Sequence, residues 1–188
     1  MFAGHFGISA AVKSKTPETP LWSLIVGSQL LDIAFIIFNL VGLESIEPIG
    51  KGGYGNVVIN AFYSHSLVGA LILSILAGLL AKRFWGKKSG IIIGVVVFSH
   101  WILDFIVHRP DMPILPGNIG NMPLLGLGLW ETIPGSILVE SLLIAVGCFL
   151  YFQNAIKKAG PAHKRKGIIA GLLMTVFLIL SLYIGIFL

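Results

Sequence analysis

Residues 90–107 read GIIIGVVVFSHWILDFIV, an apolar run bounded by Lys87 and Lys88 on one side and Arg109 on the other. A helix of that length covers about 27 Å, close to the ~30 Å hydrocarbon core of a bilayer. The run lacks the polar/apolar alternation of a barrel strand. In lipid every backbone N–H and C=O must be paired, so a helix is the conformation it can adopt. Working outward, comparable runs stand at residues 21–43, 62–81, 134–152 and 167–188. The expected fold is all-α: a polytopic membrane bundle of about five transmembrane helices in one domain, residues 1–188. Composition agrees, since 56% of the residues are hydrophobic and 11% charged, with mean hydropathy +0.93, whereas soluble domains are roughly 25% charged. Five spans leave only short connections, which excludes a separate soluble catalytic domain.

Residues 1–12 form a further apolar stretch ending at Lys13. At roughly 18 Å of helix it is too short to cross, and residues 1–13 read as an N-terminal half-helix. A cleavable signal peptide carries its basic residues ahead of the apolar part, whereas Lys13 and Lys15 follow it. Further basic clusters are Lys82, Arg83, Lys87 and Lys88, then Lys157, Lys158, Lys164, Arg165 and Lys166; the alternate connections hold Glu44, Glu47, Lys51, Arg109, Asp111 and Glu131. The positive-inside rule places the three basic clusters in the cytoplasm and the C-terminus outside. The Gly/Pro-rich stretches 50–55 and 110–134 read as outer connections. The net charge of +5 arises from short clusters between apolar runs, so it points to lipid headgroups and not to nucleic acid. Cys148 is the single cysteine; it permits no intrachain disulfide and reads as an inert thiol in an apolar run.

Seven ionisable residues fall within or at the ends of these helices: His5, Asp32, His65, His100, Asp104, His108 and Glu140. An Asp at mid-helix costs about 2.5–3.5 kcal/mol even on lenient insertion scales, so such groups face the bundle interior and pair. Counted from the nearest basic cluster at ~1.5 Å per residue, His5 lies roughly 15 Å in, and Asp32 and His100 roughly 18 Å. Asp104, His65 and Glu140 come to roughly 24–26 Å and His108 to about 30 Å. All seven share one slab, from mid-membrane to the outer surface. His100, Asp104 and His108 are spaced i, i+4, i+8, which keeps them on one helix face. Imidazole nitrogen and carboxylate oxygen suit zinc or another divalent ion, and proton relays use the same residue types. Each residue has a plainer reading. His5 serves as an interfacial histidine, His65 beside Ser64 and Ser66 as a helix-start residue, and Asp32 and Asp104 as helix–helix hydrogen bonds. Glu140 would pair with Arg109, and His108 and Arg109 would be solvated at a span end. Trp22, Trp85, Trp101 and Trp130 read as belt or packing residues. The shared depth favours a joint site.

Gly4-His5, Leu31-Asp32, Tyr63-Ser64-His65-Ser66 and Ser99-His100-Trp101-Ile102-Leu103-Asp104, followed by His108-Arg109-Pro110-Asp111, resemble a bacterial inner-membrane family of metal-dependent hydrolases that includes a LexA-binding member. The resemblance covers about residues 1–110. The family pattern is Gly-His, Pro-Asp-x-Asp, His-Arg-x-x-Thr-His-Ser and Ser-His-x-x-x-Asp. It implies a multi-pass protein of the bacterial inner membrane with His5, Asp32, His65, His100 and Asp104 as metal ligands. This chain departs from it: Leu31 replaces the Pro, Ala34 the second Asp, and Asn60 stands near the upstream His. Fewer ligands imply fewer ions than a binuclear centre holds, with His108 or Glu140 as substitutes.

The combined expectation is a membrane-embedded metal-dependent hydrolase with its site in the outer half of the bilayer. It would hold a divalent metal, zinc first with manganese or iron as alternatives. Besides membrane lipids as neighbours, its substrate would be a lipid or lipid-linked ester or phosphoester. Glu140 would be the general base, Arg109 would hold an anionic group or developing charge, and His108 would act as ligand or base. Three rivals remain: a proton or divalent-ion transporter, a b-type haem protein with two axial histidines, and a structural protein with a vestigial site. Toward the cytoplasm the polar residues thin to Ser28, Gln29 and Ser74, which argues against a through-path. Carboxylates beside the histidines fit haem poorly.

Overall fold

A computed structural model describes residues 2–49 and 56–187. The expected connection at 50–55, with Lys51, and the terminal residues 1 and 188 lie outside the described residues. The element order is α1 (Phe2–Lys15), α2 (Leu21–Ser28), α3 (Leu30–Leu40), β1 (Ser45–Pro48), β2 (Val57–Asn60), α4 (Leu67–Val107), α5 (Ile133–Ala159) and α6 (Lys164–Phe187). The fold is all-α apart from β1 and β2, an antiparallel ribbon in which Ser45 faces Asn60. That ribbon was not foreseen from the sequence.

α4, α5 and the segment containing α6 are each long and apolar enough to cross a membrane, and α2 with α3 qualifies as one bent span. α4 is itself two arms. Gly86 has φ 84°, ψ 171°, a conformation nearly reserved for glycine. A Cβ on Gly78 would stand 2.9 Å from Gly90 O, whereas twelve residues of straight helix span about 18 Å. Residues 67–85 and 87–107 therefore run antiparallel, and five potential crossings result. The sequence expectation of a basic loop between spans two and three is corrected, because the chain stays helical up to Gly86 and resumes beyond it.

Two other boundaries differ from expectation. The second span begins at Leu67 and not at residue 62: Ser66 caps the helix, its Oγ accepting from Gly69 N at 3.0 Å, and residues 62–66 form the turn that delivers His65. The first span is not continuous but bends by 50° between α2 and α3. At the outer end Gly42 (φ 77°) closes α3 as Gly42 N donates to Asn39 O and Leu43 N to Phe38 O, the Schellman arrangement.

The three basic clusters gather at one end of the bundle. Lys88 pairs with Glu18 at 2.8 Å, Thr19 Oγ1 donates to Ser89 Oγ at 3.0 Å, and Lys13, Lys158 and Lys166 line one crevice. The half-helix α1 runs through the middle, with Ala3, Phe6 and Ala10 packed on Ile144, Met174 and Leu178. Gly147 makes this possible, since a Cβ there would collide with Gly7 O. A second core joins Leu24 and Leu31 to Ala70, Ile93, Val96, Val97 and Trp101.

Candidate metal centre

The bend in the first span and the site have one cause. In a continuous helix Ser28 O would accept from Asp32 N; here it accepts from His100 Nδ1 at 2.6 Å. Gln29 takes φ −110°, ψ 9°, and its side chain donates to Phe2 O at 3.2 Å. Helix α3 then starts afresh with Asp32 in its first turn, where the helix dipole favours a carboxylate. Trp101 Nε1 donates to His65 O at 2.9 Å, which ties the turn before α4 to the second arm of that helix.

Asp32, His65, His100 and Asp104 each offer one donor atom, all within 4.8 Å of one another. His65 Nε2 and His100 Nε2 are 3.3 Å apart. Asp104 Oδ2 lies 3.0 Å from His100 Nε2 and 3.4 Å from His65 Nε2, and Asp32 Oδ1 lies 3.5 Å from both. Tetrahedral donors around an ion at zinc's 2.0–2.1 Å bond lengths would be about 3.3–3.4 Å apart. Asp32 is the open member, its side chain 33% exposed, while the other three are buried.

The far nitrogens of the histidines are anchored. The acceptor-only Ser28 O makes His100 Nδ1 a donor. Ser64 Oγ lies 2.8 Å from His65 Nδ1 and donates its one proton to Glu44 Oε2 at 2.8 Å, so its oxygen accepts from His65 Nδ1. Glu44 Oε1 also accepts from Tyr63 N and Ser64 N at 2.7 and 2.8 Å. His108 Nδ1 donates to Asp111 Oδ1 at 2.9 Å, leaving Nε2 3.8 Å from Asp104 Oδ2. In a neutral imidazole a protonated Nδ1 leaves Nε2 as a lone pair. Three Nε2 lone pairs and the Asp104 carboxylate thus face one another, acceptor against acceptor. That arrangement calls for a positive charge at its centre. Two imidazoles and two carboxylates have the donor chemistry and spacing to hold a divalent ion, and such outer hydrogen bonds are what orient metal-binding histidines.

His5 stands beside this group. Its ring stacks on His100 with centroids 3.7 Å apart, and it is 1% exposed. Nε2 lies 3.2 Å from Asp104 Oδ1, yet neither ring nitrogen makes a hydrogen bond among the described residues. A buried imidazole with both nitrogens unsatisfied beside a carboxylate is a further sign of an ion-binding environment. Glu140 Oε2 accepts from Ala3 N and Gly4 N at 3.1 and 3.3 Å, holding the start of α1 and hence His5. Arg109 Nη1 donates to Val57 O at 3.3 Å, tying the end of α4 to the ribbon. Asn60 Nδ2 donates to Ser45 Oγ and Glu47 Oε1 within the ribbon.

Sequence reasoning missed Glu44 and Asp111, which it placed among the outer connections; both are buried, and Ser28 contributes through its carbonyl. Trp130, read as a belt or packing residue, is a packing residue, set on the His108 ring at a centroid distance of 4.3 Å. No curated protein and no solved structure matches the chain. The family model for YdjM inner membrane proteins matches residues 2–187. With its apolar spans and that near-complete match, the chain is an inner-membrane protein and belongs to the YdjM inner membrane protein family.

Proposed function

We propose that this protein is a metal-dependent hydrolase acting on a lipid or lipid-linked ester or phosphoester, with zinc as its ion and manganese or iron as alternatives. The observation that carries this reading is the convergence of anchored histidine Nε2 atoms on Asp104. His65, His100 and Asp104 would hold the ion, the three-ligand arrangement of hydrolytic zinc sites. When bound, the ion supplies Lewis acidity that polarises the scissile carbonyl or phosphoryl oxygen and makes water a better nucleophile.

The residues of the chain do the rest. Asp32, the half-buried carboxylate, takes the proton of the attacking water. Glu140, expected as the base, suits a positioning role better, because its Oε2 is engaged with Ala3 N and Gly4 N. His108, held by Asp111, passes a proton to the leaving group, and Arg109 meets an anionic part of the substrate. The open side at Asp32 is flanked on α3 by exposed Ile33, Ile36 and Ile37, which supports access from lipid. Toward the basic end, packed Leu24, Ile93, Val96 and Val97 favour an enzyme over a conduction path. The positive-inside rule puts that end in the cytoplasm, the site in the outer half of the bilayer and the C-terminus in the periplasm.

The test is turnover of phospholipids and lipid phosphoesters in mixed micelles by protein loaded in turn with zinc, manganese and iron. Asp32→Asn should keep its metal while turnover falls about 10²–10⁴-fold, and Asp104→Asn should lose both. Absence of hydrolysis with all three metals would overturn the enzymatic reading; an Asp32→Asn variant as fast as wild type would remove Asp32 as the base.

A further inference from the structure

At the basic end of the bundle a crevice of about 260 Å³ lies between α1, α5 and α6, built from residues the metal centre does not use. Lys13 reaches it from the end of α1, Tyr151, Asn154 and Lys158 from the last turns of α5, and Lys166 from the start of α6. Its floor is fixed by a close helix contact: a Cβ on Gly167 would stand 2.6 Å from Ala155 O. Lys13 Nζ is held in place by Pro17 O at 3.1 Å and Thr19 O at 2.6 Å. The Tyr151 hydroxyl, the Asn154 amide and the Lys158 and Lys166 ammonium groups have no hydrogen-bond partner or counter-ion among the described residues.

Among the described residues no carboxylate lines the crevice, and the acid nearest in sequence to Lys13, Glu18, is paired with Lys88. Burial, and then the charge of Lys158, hold the Lys13 ammonium below its ordinary pKa. Three elements thus bring three cations and two neutral hydrogen-bonding groups to one concavity with no carboxylate in its lining; Glu18 offsets part of the repulsion at Lys13, and an anion in the crevice would relieve the rest. Donors arriving from several directions suit the tetrahedral oxygens of phosphate. The volume lies below the ~300–1,000 Å³ of pockets for drug-sized ligands, which fits a headgroup and not a nucleotide.

We propose that this crevice binds one phosphate-bearing anion, the headgroup of an anionic phospholipid or free phosphate, through Lys158, Lys166, Asn154 and Tyr151, with Lys13 as a fixed positive wall. Basic pockets between membrane helices hold lipid headgroups by this chemistry. The proposal is independent of the metal centre.

The full chain in detergent is titrated with phosphatidylglycerol, phosphatidylcholine and inorganic phosphate, and bound molecules are counted by native mass spectrometry. Wild type should retain one phosphatidylglycerol and no phosphatidylcholine. Lys158→Gln/Lys166→Gln should bind about 30-fold more weakly, the equivalent of ~1 kcal/mol per lysine, whereas Lys164→Gln/Arg165→Gln, with the same charge loss outside the crevice lining, should stay near wild type. Asn154→Ala, which leaves the charge unchanged, should weaken binding severalfold. Displacement of the lipid by millimolar phosphate would show that phosphate alone suffices; resistance to it would show that the acyl chains are required, and both uphold the site. Equal retention of phosphatidylcholine, equal loss in the two double variants, or unchanged binding in Asn154→Ala would overturn it.

Discussion

Glu44→Gln tests whether the outer hydrogen bonds set the chemistry of the centre. In the native chain the proton sequence runs from His65 Nδ1 to Ser64 Oγ and from Ser64 Oγ to the Glu44 carboxylate. Glutamine can keep one oxygen for Tyr63 N and Ser64 N, the bonds now made by Oε1, but it places an NH₂ group where Oε2 accepts. With that oxygen's two lone pairs taken by the backbone bonds, its 3.1 Å contact with Ser64 Oγ is the weaker option, and Ser64 accepts from the amide and donates to His65 Nδ1. His65 switches tautomer, and its Nε2 presents a proton to His100 Nε2 at 3.3 Å instead of a lone pair to the ion. Loss of such orienting partners lowers metal affinity by about 10–100-fold, or about 1.4–2.7 kcal/mol, while the retained backbone bonds limit the fold's loss to about 1 kcal/mol. Competition with a chromophoric chelator gives the affinity, and ¹⁵N NMR of labelled histidine gives the tautomer. Affinity within twofold of wild type, or an unchanged His65 tautomer, would mean that Glu44 does not set the protonation of His65.

Two further substitutions test the scaffold by thermal unfolding in detergent. Gly147→Ala forces a methyl onto Gly7 O where α1 crosses α5 and should cost about 1–3 kcal/mol, with metal affinity falling as His5 shifts; unchanged stability would mean that α1 and α5 can separate at this crossing without loss. At Gly86 a Cβ meets nothing within 4 Å, so the roughly 1–3 kcal/mol expected for Gly86→Ala comes from backbone conformation alone. A variant melting like wild type would remove Gly86 as the point of reversal.

The lipid environment explains how much of this was legible in the chain. Because a charge at depth is costly, each ionisable residue inside an apolar run had to face the interior, and matching depths brought His65, His100, Asp104 and the half-helix residue His5 into one cluster. Asp32 joined them for the same reason. Connections carry no such constraint. Glu44 looked like a solvated loop residue, and nothing in linear spacing indicates that the Gly42 turn swings it onto Ser64, twenty positions away. The bend at Gln29 was equally hidden, because the group that takes Ser28 O out of the helix ladder is His100, 72 residues on. Gly86 stood in a basic segment that resembled a loop, yet helix propensity on both sides needs only one positive-φ residue to reverse the chain.

The most direct measurement is metal content by mass spectrometry of protein purified in one detergent, wild type beside His100→Ala and Asp104→Asn, before and after exposure to zinc, manganese and iron. The convergence of Nε2 atoms on Asp104 predicts near-stoichiometric divalent metal in wild type and its loss in both variants while their helical circular dichroism is retained. Wild-type protein that neither carries a metal nor takes one up would rule out a metal centre and leave the cluster as a protonated hydrogen-bond network.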